Sequence, residues 1–417
     1  MHQSLLVRGA RQLVTLRGPS GPRRGSALRE LGIIEDGGLL IVNGVIVDVG
    51  PTRRVENLAR ARNVESIDAT GRVVMPGLVD SYAHLVSGPP RLLEWEMWIA
   101  APAERAPVIC ERAIASSVGA VRQAGAGRLE HQARRVVGAM IRHGTTTVEA
   151  RSGYGLDESG ELKSLRVAGR FDGAPIDVVA TYFGARAVPP EYAGRGEEYL
   201  HWLGDIVLEK ICRRGLAEFV DVACGERAFA PELARRYLDR ARVLGLRCRV
   251  RGNATLAVEA EATSVSGVDT PLAIDAERLA RSSTIAVLTP GAAFYSGSRR
   301  APARTLIDHG VAVAVATGHD SVLCPIASLP AVMSIACTEL RMSPAEVVSS
   351  ATINAAHALG REKNCGSLEI NKDADLILLN AGDYRELAFQ FGTNLVHTTI
   401  KRGEIIYKEG AISWPGD

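Results

Sequence analysis

Side chains that could do chemistry stand after short apolar runs in the middle of the chain. The residues in such positions are Tyr82, His84, Tyr154, Arg186, Arg251, His319 and Asp320. Imidazole and carboxylate groups can bind a metal ion or move protons. A guanidinium group keeps its proton and instead binds carboxylates, often through two parallel hydrogen bonds. The mixture therefore allows acid–base or metal chemistry on one hand and anion binding on the other.

The elements that must position these residues follow from eight apolar runs separated by helix-like stretches. Residues 129–143 and 231–244 have the spacing of amphipathic helices, and Pro231 suits the first position of a helix. Alternating strands and helices of this number predict an α/β fold, a (β/α)₈ barrel, in which chemistry lies at the carboxyl ends of the strands. The runs cover residues 77–80, 145–149, 177–183, 219–223, 246–250, 263–268, 284–288 and 311–316.

Both ends of the chain are rich in strand-forming residues. Asn43-Gly44 lies between two apolar runs, and this pair favours a tight hairpin because both turn residues need a positive φ. The C-terminal end has strand-like runs at residues 375–379, 398–400 and 405–407. We therefore predict a β-sandwich composed of residues 1–75 and 362–417, around a barrel of residues 76–361.

Composition limits the classes of function. The chain has 49 basic and 47 acidic residues, a net charge of +2, which favours neither nucleic acid nor an anionic membrane surface as partner. Its seven cysteines are scattered without a Cys-x-x-Cys pair, which indicates reduced thiols and a cytoplasmic protein. No apolar run is long enough to predict a membrane span.

Four sequence motifs carry a resemblance to a known family. Residues 76–80 read PGLVD and residues 374–379 read ADLILL, which are typical of the amidohydrolase superfamily. Residues 145–156 (TTTVEARSGYGL) and 187–192 (AVPPEY) are narrower, and with them the chain resembles the imidazolonepropionases from about residue 5 to residue 408. The resemblance implies a metal-dependent barrel that hydrolyses the cyclic amide C–N bond of imidazolone propionate in histidine degradation, with Zn or Fe as the metal.

The resemblance also implies where that metal would be held. The family pattern has His-x-His after the first strand, a His after the fifth and an Asp after the eighth. This chain has Tyr82, His84, Arg251 and Gly318 at those positions. Arginine and glycine side chains offer no ligand, so no metal site of the family type and no cofactor are expected. The proton-handling His and a nearby Glu are also replaced, by Thr270 and Ala254.

The positions that hold the substrate are better kept. The resemblance places Arg91 where the family uses an Arg for the substrate carboxylate and Tyr154 where it uses a Tyr. It places Arg186 at a substrate-contacting family His and Arg151 at a family Lys. Arg251 adds a further positive charge where the family has a metal ligand. We therefore expect a small-carboxylate pocket formed by Arg91, Tyr154, Arg186 and Arg251, with the arginines balanced by Asp320, Asp269, Glu149 or a bound anion.

Three interpretations follow. The leading one is an imidazolonepropionase-like homologue with a degenerate metal site, inactive in the family reaction and able to bind a small carboxylate. The second is an active enzyme with a rewired or metal-free site that uses Tyr82, His84, His319 and Asp320 as acid, base or ligands. The third is a regulatory or structural partner of an active paralogue. A homodimer is expected, with no nucleic acid and no membrane partner, although a self-contained homodimer would count against the third interpretation.

Overall fold

The computed structural model describes residues 4–58, 64–102, 105–225, 228–268, 273–297, 299–409 and 411–414. Its strands are β1 (Ser4–Val14), β2 (Ile33–Val42), β3 (Val45–Pro51), β4 (Glu65–Asp68), β5 (Val73–Pro76), β6 (Leu78–Asp80), β7 (Thr145–Arg151), β8 (Asp177–Ala185), β9 (Phe219–Ala223), β10 (Arg247–Arg251), β11 (Ser264–Ser266), β12 (Ile285–Leu288), β13 (Val313–Val315), β14 (Leu376–Leu379), β15 (Val396–Lys401), β16 (Glu404–Lys408) and β17 (Ala411–Ile412).

The helices follow the barrel strands and also lie between the barrel and the C-terminal strands. They are α1 (Thr52–Glu56), α2 (Leu92–Ile99), α3 (Ala106–Gln123), α4 (Ala126–Arg142), α5 (Glu158–Gly169), α6 (Gly196–Trp202), α7 (Leu208–Arg213), α8 (Pro231–Val243), α9 (Ala254–Glu259), α10 (Ala273–Ala280), α11 (Pro290–Ser296), α12 (Ala303–Asp308), α13 (Leu329–Leu340), α14 (Pro344–Ser350), α15 (Ile353–Leu359) and α16 (Glu386–Phe389). Among these described helices, none has both the length and the apolar character needed to cross a membrane.

The strands β6 to β13 form a parallel barrel in chain order. Each corresponds to one of the eight apolar runs, so the barrel prediction is confirmed, and α8 begins at Pro231 as expected. The barrel closes at its carboxyl end, where the segments after β6 and β13 meet. The His84 amide donates to the His319 carbonyl over 2.8 Å, and the Gly318 amide donates to the Tyr82 carbonyl over 3.0 Å. Closure therefore brings the two ends of the barrel sequence together at the predicted site.

The remaining strands form one nine-stranded sheet from both ends of the chain, in the order β17-β16-β15-β14-β5-β1-β2-β3, with β4 on β1. The predicted hairpin is present between β2 and β3, with φ values of 51° at Asn43 and 78° at Gly44. The sheet curls back on itself, because the Ile46 amide donates to the Lys372 carbonyl over 2.9 Å. Its apolar core combines residues of both termini, among them Val7 and Leu376. The exact domain boundaries stay a prediction.

An ion-pair cluster, here called the sheet–barrel clasp, joins this sheet to the barrel. It consists of Asp177, Asp375, Lys401 and Arg402. The Lys401 ammonium lies 2.7 Å from Asp177 and 2.6 Å from Asp375, and its side chain is only 4% exposed. Arg402 also contacts Asp177, over 2.7 Å. Asp177 begins β8, so the clasp lies at the amino end of the barrel, opposite the predicted site.

Candidate functional site

Tyr82 lies at the barrel mouth between two guanidinium groups. Its phenol oxygen accepts a hydrogen bond from Arg251, at the end of β10. The guanidinium carbon of Arg151 lies 3.9 Å from the centre of the Tyr82 ring. Burial raises the pKa of the Tyr82 phenol, but the positive charges of Arg251, Arg151 and Arg186 outweigh burial, and the net shift is downward. The position that resembles a metal-ligand site thus holds a phenol surrounded by cations.

Below Tyr82 lies a buried group of charges, here called the interior ion network, made of Glu149, Arg151, Asp221 and Arg249. Glu149 lies 3.1 Å from Arg151 and 3.1 Å from Arg249, and Arg151 also contacts Asp221. Burial lowers the pKa of Arg249 to about 10, although Glu149 opposes that shift. Both acids are therefore committed to Arg151 and Arg249, and Glu149 is not the partner of Arg251.

A second polar group lies beside this network and involves Tyr154, Arg186 and Asp320. The Tyr154 phenol donates to the Asp320 carboxylate and accepts from Arg186 over 3.2 Å. The Arg186 guanidinium also lies 4.1 Å from the centre of the Tyr154 ring and 3.8 Å from Asp320. Burial raises the pKa of Tyr154 well above its ordinary value, so the phenol keeps its proton. The structure therefore brings these three predicted residues together, and their polar groups form hydrogen bonds and an ion pair with one another.

The loop that presents Tyr154 is shaped by one buried carboxylate. Glu161, on α5, accepts hydrogen bonds from the amides of Gly153 (3.0 Å), Gly155 (2.7 Å) and Leu156 (2.9 Å). A Cβ on Gly155 would meet the Glu161 amide nitrogen at 2.4 Å, so only glycine fits there. The Ser-Gly-Tyr-Gly-Leu motif is therefore a turn wrapped around a carboxylate, and its conformation fixes the direction of Tyr154.

His84 is surrounded by aromatic rings and cations. Its Nδ1 lies 3.2 Å from the Arg151 carbonyl, and its ring packs against Tyr154 and Phe183 at centroid distances of 5.3 and 6.3 Å. Burial lowers the pKa of His84 well below its ordinary value, and Arg186, Arg151 and Arg251 lower it further. The imidazole is therefore neutral, in an environment that repels positive charge.

The backbone after the eighth strand is constrained at Gly318, the predicted position of a family metal ligand. Gly318 has a φ of 65°, and a Cβ there would meet the Thr289 Cβ at 2.9 Å. Next to it, Thr317 donates to the buried carboxylate of Asp80 through its amide (3.0 Å) and its hydroxyl. Burial raises the pKa of Asp80 to about 7, against the effect of these hydrogen bonds. His319 is also buried, and burial lowers its pKa.

A cavity of about 170 Å³ lies above Tyr82 at the mouth of the barrel. Arg251 lines it, whereas Arg91 instead donates to the Ser116 carbonyl on α3. Tyr154 and Arg186 are not among the described residues that line it. The four predicted carboxylate-binding residues are therefore distributed over three places. Asp269 and Thr270, which the sequence analysis singled out, lie outside the described residues.

Sequence reasoning did not identify several residues that form the site. Arg249, Asp221, Ser266 and Trp98 are among them, and the signal was available for the first two. Asp221 is the one charge in the apolar strand β9, and Arg249 stands two positions before Arg251 in β10, so the two arginines share a face of the strand. Such a charge in a barrel strand needs a buried partner, which indicates an interior ion network. Ser266 and Trp98 carry no comparable signal.

Comparison with solved structures defines the class of fold. Atrazine chlorohydrolase from Arthrobacter aurescens, complexed with zinc, superposes with a TM-score of 0.68 at 17% identity, covering 97% of this chain and 95% of the other. An adenosine deaminase from Xanthomonas campestris with bound zinc gives a TM-score of 0.64 at 16% identity, covering 99% and 94%. The sequence profile of the amidohydrolase family matches residues 250–406. The fold is thus that of an amidohydrolase barrel.

Sequence relatives are more specific than the fold. Imidazolonepropionase from Geobacillus thermodenitrificans is 40% identical over 98% of this chain and 99% of its own length. Imidazolonepropionase from Geobacillus kaustophilus is 41% identical over 98% and 99%, and that from Chloroflexus aggregans is 40% identical over 96% and 98%. The chain belongs to the imidazolonepropionase family, as its motifs predicted.

Proposed function

We propose that this chain is an imidazolonepropionase-like protein without the family metal site, which binds a small carboxylate at the barrel mouth in place of metal-assisted hydrolysis. The observation that carries the proposal is Arg251. It occupies a position where the family pattern has a metal ligand, it lines the mouth cavity, and the Tyr82 phenol is its hydrogen-bond partner among the described residues.

The residues present do not fit a catalytic zinc or iron ion. Such an ion needs imidazole, thiolate or carboxylate ligands in a fixed geometry. Arg251 carries only donors, and Gly318 has no side chain and no space for one beside Thr289. Only one group of described His, Cys, Asp and Glu residues has metal-like spacing, namely Asp177, Asp373 and Asp375 at the opposite end of the barrel. No hydrolytic step through a metal is therefore assigned to this chain.

The same residues favour an anion. Three guanidinium groups lower the pKa of Tyr82 against the effect of burial, which means that the local potential is positive. Arginine binds carboxylates through paired, charge-assisted hydrogen bonds that are stronger than neutral ones. A ligand carboxylate on Arg251 would supply the negative charge that no described acid supplies there.

A metal-free enzyme is the second candidate. Tyr82 and His84 favour it, because a phenol with a lowered pKa beside a neutral imidazole offers two groups that can exchange a proton. Turnover that survives metal removal and is lost in Tyr82→Phe would support this candidate. Homodimer formation, and pairing with an active paralogue, remain predictions that light scattering and co-purification can check.

The proposal is tested on the purified full chain. We expect elemental analysis after incubation with zinc or iron to find less than stoichiometric metal, and imidazolone propionate to remain intact with or without either metal. Calorimetry should detect binding of small carboxylates, and Arg251→Met should weaken it about tenfold or more. Arg236→Met, which removes an exposed charge on α8, is the matched control. Stoichiometric metal bound through His84, or metal-dependent turnover, would overturn the proposal.

A further inference from the structure

The floor of the mouth cavity is polar and is formed by strand ends. Arg251 and Ser266 are paired positions on β10 and β11, so their side chains stand next to each other, and both line the cavity. The Ser266 hydroxyl is buried and has no hydrogen-bond partner among the described residues. A buried hydroxyl without a partner is costly, and a ligand acceptor beside Arg251 would satisfy it.

The roof of the same cavity is mainly apolar and partly aromatic, and Thr289 and Ser296 add two hydroxyl groups to the lining. Trp98, on α2, lines it and is 8% exposed, and Leu323 and two alanines of α11 lie beside it. The Tyr295 ring packs against Trp98 at a centroid distance of 6.2 Å and against Trp95 at 6.4 Å. A ligand body placed between floor and roof would therefore meet a polar surface on one side and aromatic and aliphatic surfaces on the other.

The size of the cavity limits the ligand further. It measures about 170 Å³. A dry protein cavity of about 150 Å³ accommodates one benzene molecule, so this cavity has room for one six-membered ring and one small polar group. A flat aromatic ring also binds an indole face well, because stacking of the two rings adds interaction energy to that of burying their apolar area.

We infer that the ligand is an aryl monocarboxylate, with a ring bonded directly to its carboxylate. The carboxylate binds Arg251 and Ser266, and the ring packs against Trp98. The inference rests on the proposed carboxylate-binding function and adds the chemical class and the orientation. A second carboxylate would find no cation besides Arg251 among the described residues that line the cavity, so dicarboxylates of the same size are disfavoured.

Calorimetry with benzoate as probe tests the class of ligand on the full chain. We expect benzoate to bind at least about tenfold more tightly than acetate, which lacks the ring, and than benzamide, which lacks the charge. Terephthalate should bind at least about tenfold more weakly than benzoate. Equal affinity for benzoate and acetate, or for benzoate and terephthalate, would overturn the inference while leaving carboxylate binding in place.

Variants test the orientation. Trp98→Ala should weaken benzoate about fivefold or more and change acetate less than about twofold, because only the ring contacts the indole. Trp98→Phe, which keeps an aromatic face, should recover part of the loss and guards against a folding defect. Trp414→Ala removes a tryptophan outside the cavity and should change neither affinity. Ser266→Ala should weaken both probes alike. Loss of both probes to the same degree in Trp98→Ala would overturn the orientation.

A cysteine in the cavity wall gives an independent test of where the ligand binds. Cys110 lines the cavity, whereas Cys212 and Cys337 do not and are similarly half-buried. Benzoate should lower the rate at which Cys110 reacts with a thiol reagent in proportion to the fraction of sites that it occupies. The reaction rates of Cys212 and Cys337 should not change. Tight benzoate binding without protection of Cys110 would overturn the inference. If no carboxylate binds at all, both this inference and the proposed function are overturned.

Discussion

The two ends of the barrel both contain buried ion pairs, but they are balanced in opposite ways. At the amino end, Lys401 and Arg402 face three carboxylates, those of Asp177, Asp373 and Asp375. Near the mouth, four guanidinium groups face three carboxylates: Arg151, Arg186, Arg249 and Arg251 against Glu149, Asp221 and Asp320. A fourth carboxyl group, that of Asp80, accepts hydrogen bonds from Thr317, and burial raises its pKa to about 7, so it carries only part of a negative charge at neutral pH.

The difference is the one expected between a structural cluster and the proposed anion-binding cluster. In the sheet–barrel clasp each cation contacts an acid directly, so the pairs hold the sheet on the barrel and leave no positive charge for an anionic ligand. Near the mouth Arg151 and Arg249 also pair with acids, but they share Glu149. In addition, the guanidinium of Arg151 lies against the ring of Tyr82, and that of Arg249 lies 3.8 Å from the Phe219 ring centre. Aromatic faces stabilise cations without neutralising them. An excess of positive charge can therefore persist there.

The largest expected effect is on the clasp. Lys401→Met leaves Asp177 and Asp375 without their shared cation in a buried place. We expect the free energy of unfolding to fall by about 3–5 kcal/mol, as when one partner of a buried pair is removed. Thermal unfolding measures it, with Lys408→Met on the exposed face of β16 as control. Benzoate affinity of the folded variant should not change, and a change would remove the distinction between the two ends.

The second prediction concerns Asp80, a mouth carboxylate without a cation partner. Its pKa is about 7 in the fold and near 3.8 when unfolded, so between those values the folded state binds the additional proton. Stability therefore falls as pH rises through this window, by up to about 4 kcal/mol. Asp80→Asn should flatten this slope in thermal unfolding followed from pH 4 to pH 8, and an unchanged slope would contradict the assignment. Asp205→Asn, at an exposed site, is the control.

A smaller effect is expected on ligand affinity when an acid is neutralised at each end. Glu149→Gln removes one negative charge below the cavity, and benzoate affinity should rise about threefold because the local potential becomes more positive. Asp177→Asn removes the same charge from the clasp and should leave the affinity unchanged. Calorimetry with benzoate on both variants measures the two affinities. Equal changes in the two would show that the distant end also contributes to anion binding.

The smallest effect on stability is expected at Arg251, because it is exposed at the rim of the mouth. Arg251→Met should change the free energy of unfolding by less than about 0.5 kcal/mol. The same variant should raise the pKa of the Tyr82 phenol, since it removes the charge that contributes most to lowering that pKa, together with a hydrogen-bond donor. Phenolate absorbance, taken as the difference from Tyr82→Phe, measures the shift. An unchanged Tyr82 pKa would contradict the assigned pairing.

The fold could be predicted almost completely from sequence, and the site only in part. The eight barrel strands and the hairpin at Asn43-Gly44 follow from local patterns, because strand periodicity and turn chemistry are properties of neighbouring residues. The residue types at the mouth could also be read directly. The partners of these residues could not be predicted, because they are far apart in the sequence. Tyr82 and Arg251 are separated by 169 positions, and Tyr154 and Asp320 by 166.

By itself the sequence determined the family and the barrel, and it predicts that Tyr82, Arg251 and Gly318 stand at metal-ligand positions of the family pattern. Only the tertiary structure decided that Glu149 and Asp221 pair with Arg151, that Arg91 turns to α3, and that Trp98 covers a cavity above Tyr82. The physical reason is competition. Long guanidinium side chains can reach several acids, and the one each reaches depends on strand register and closure around the whole barrel.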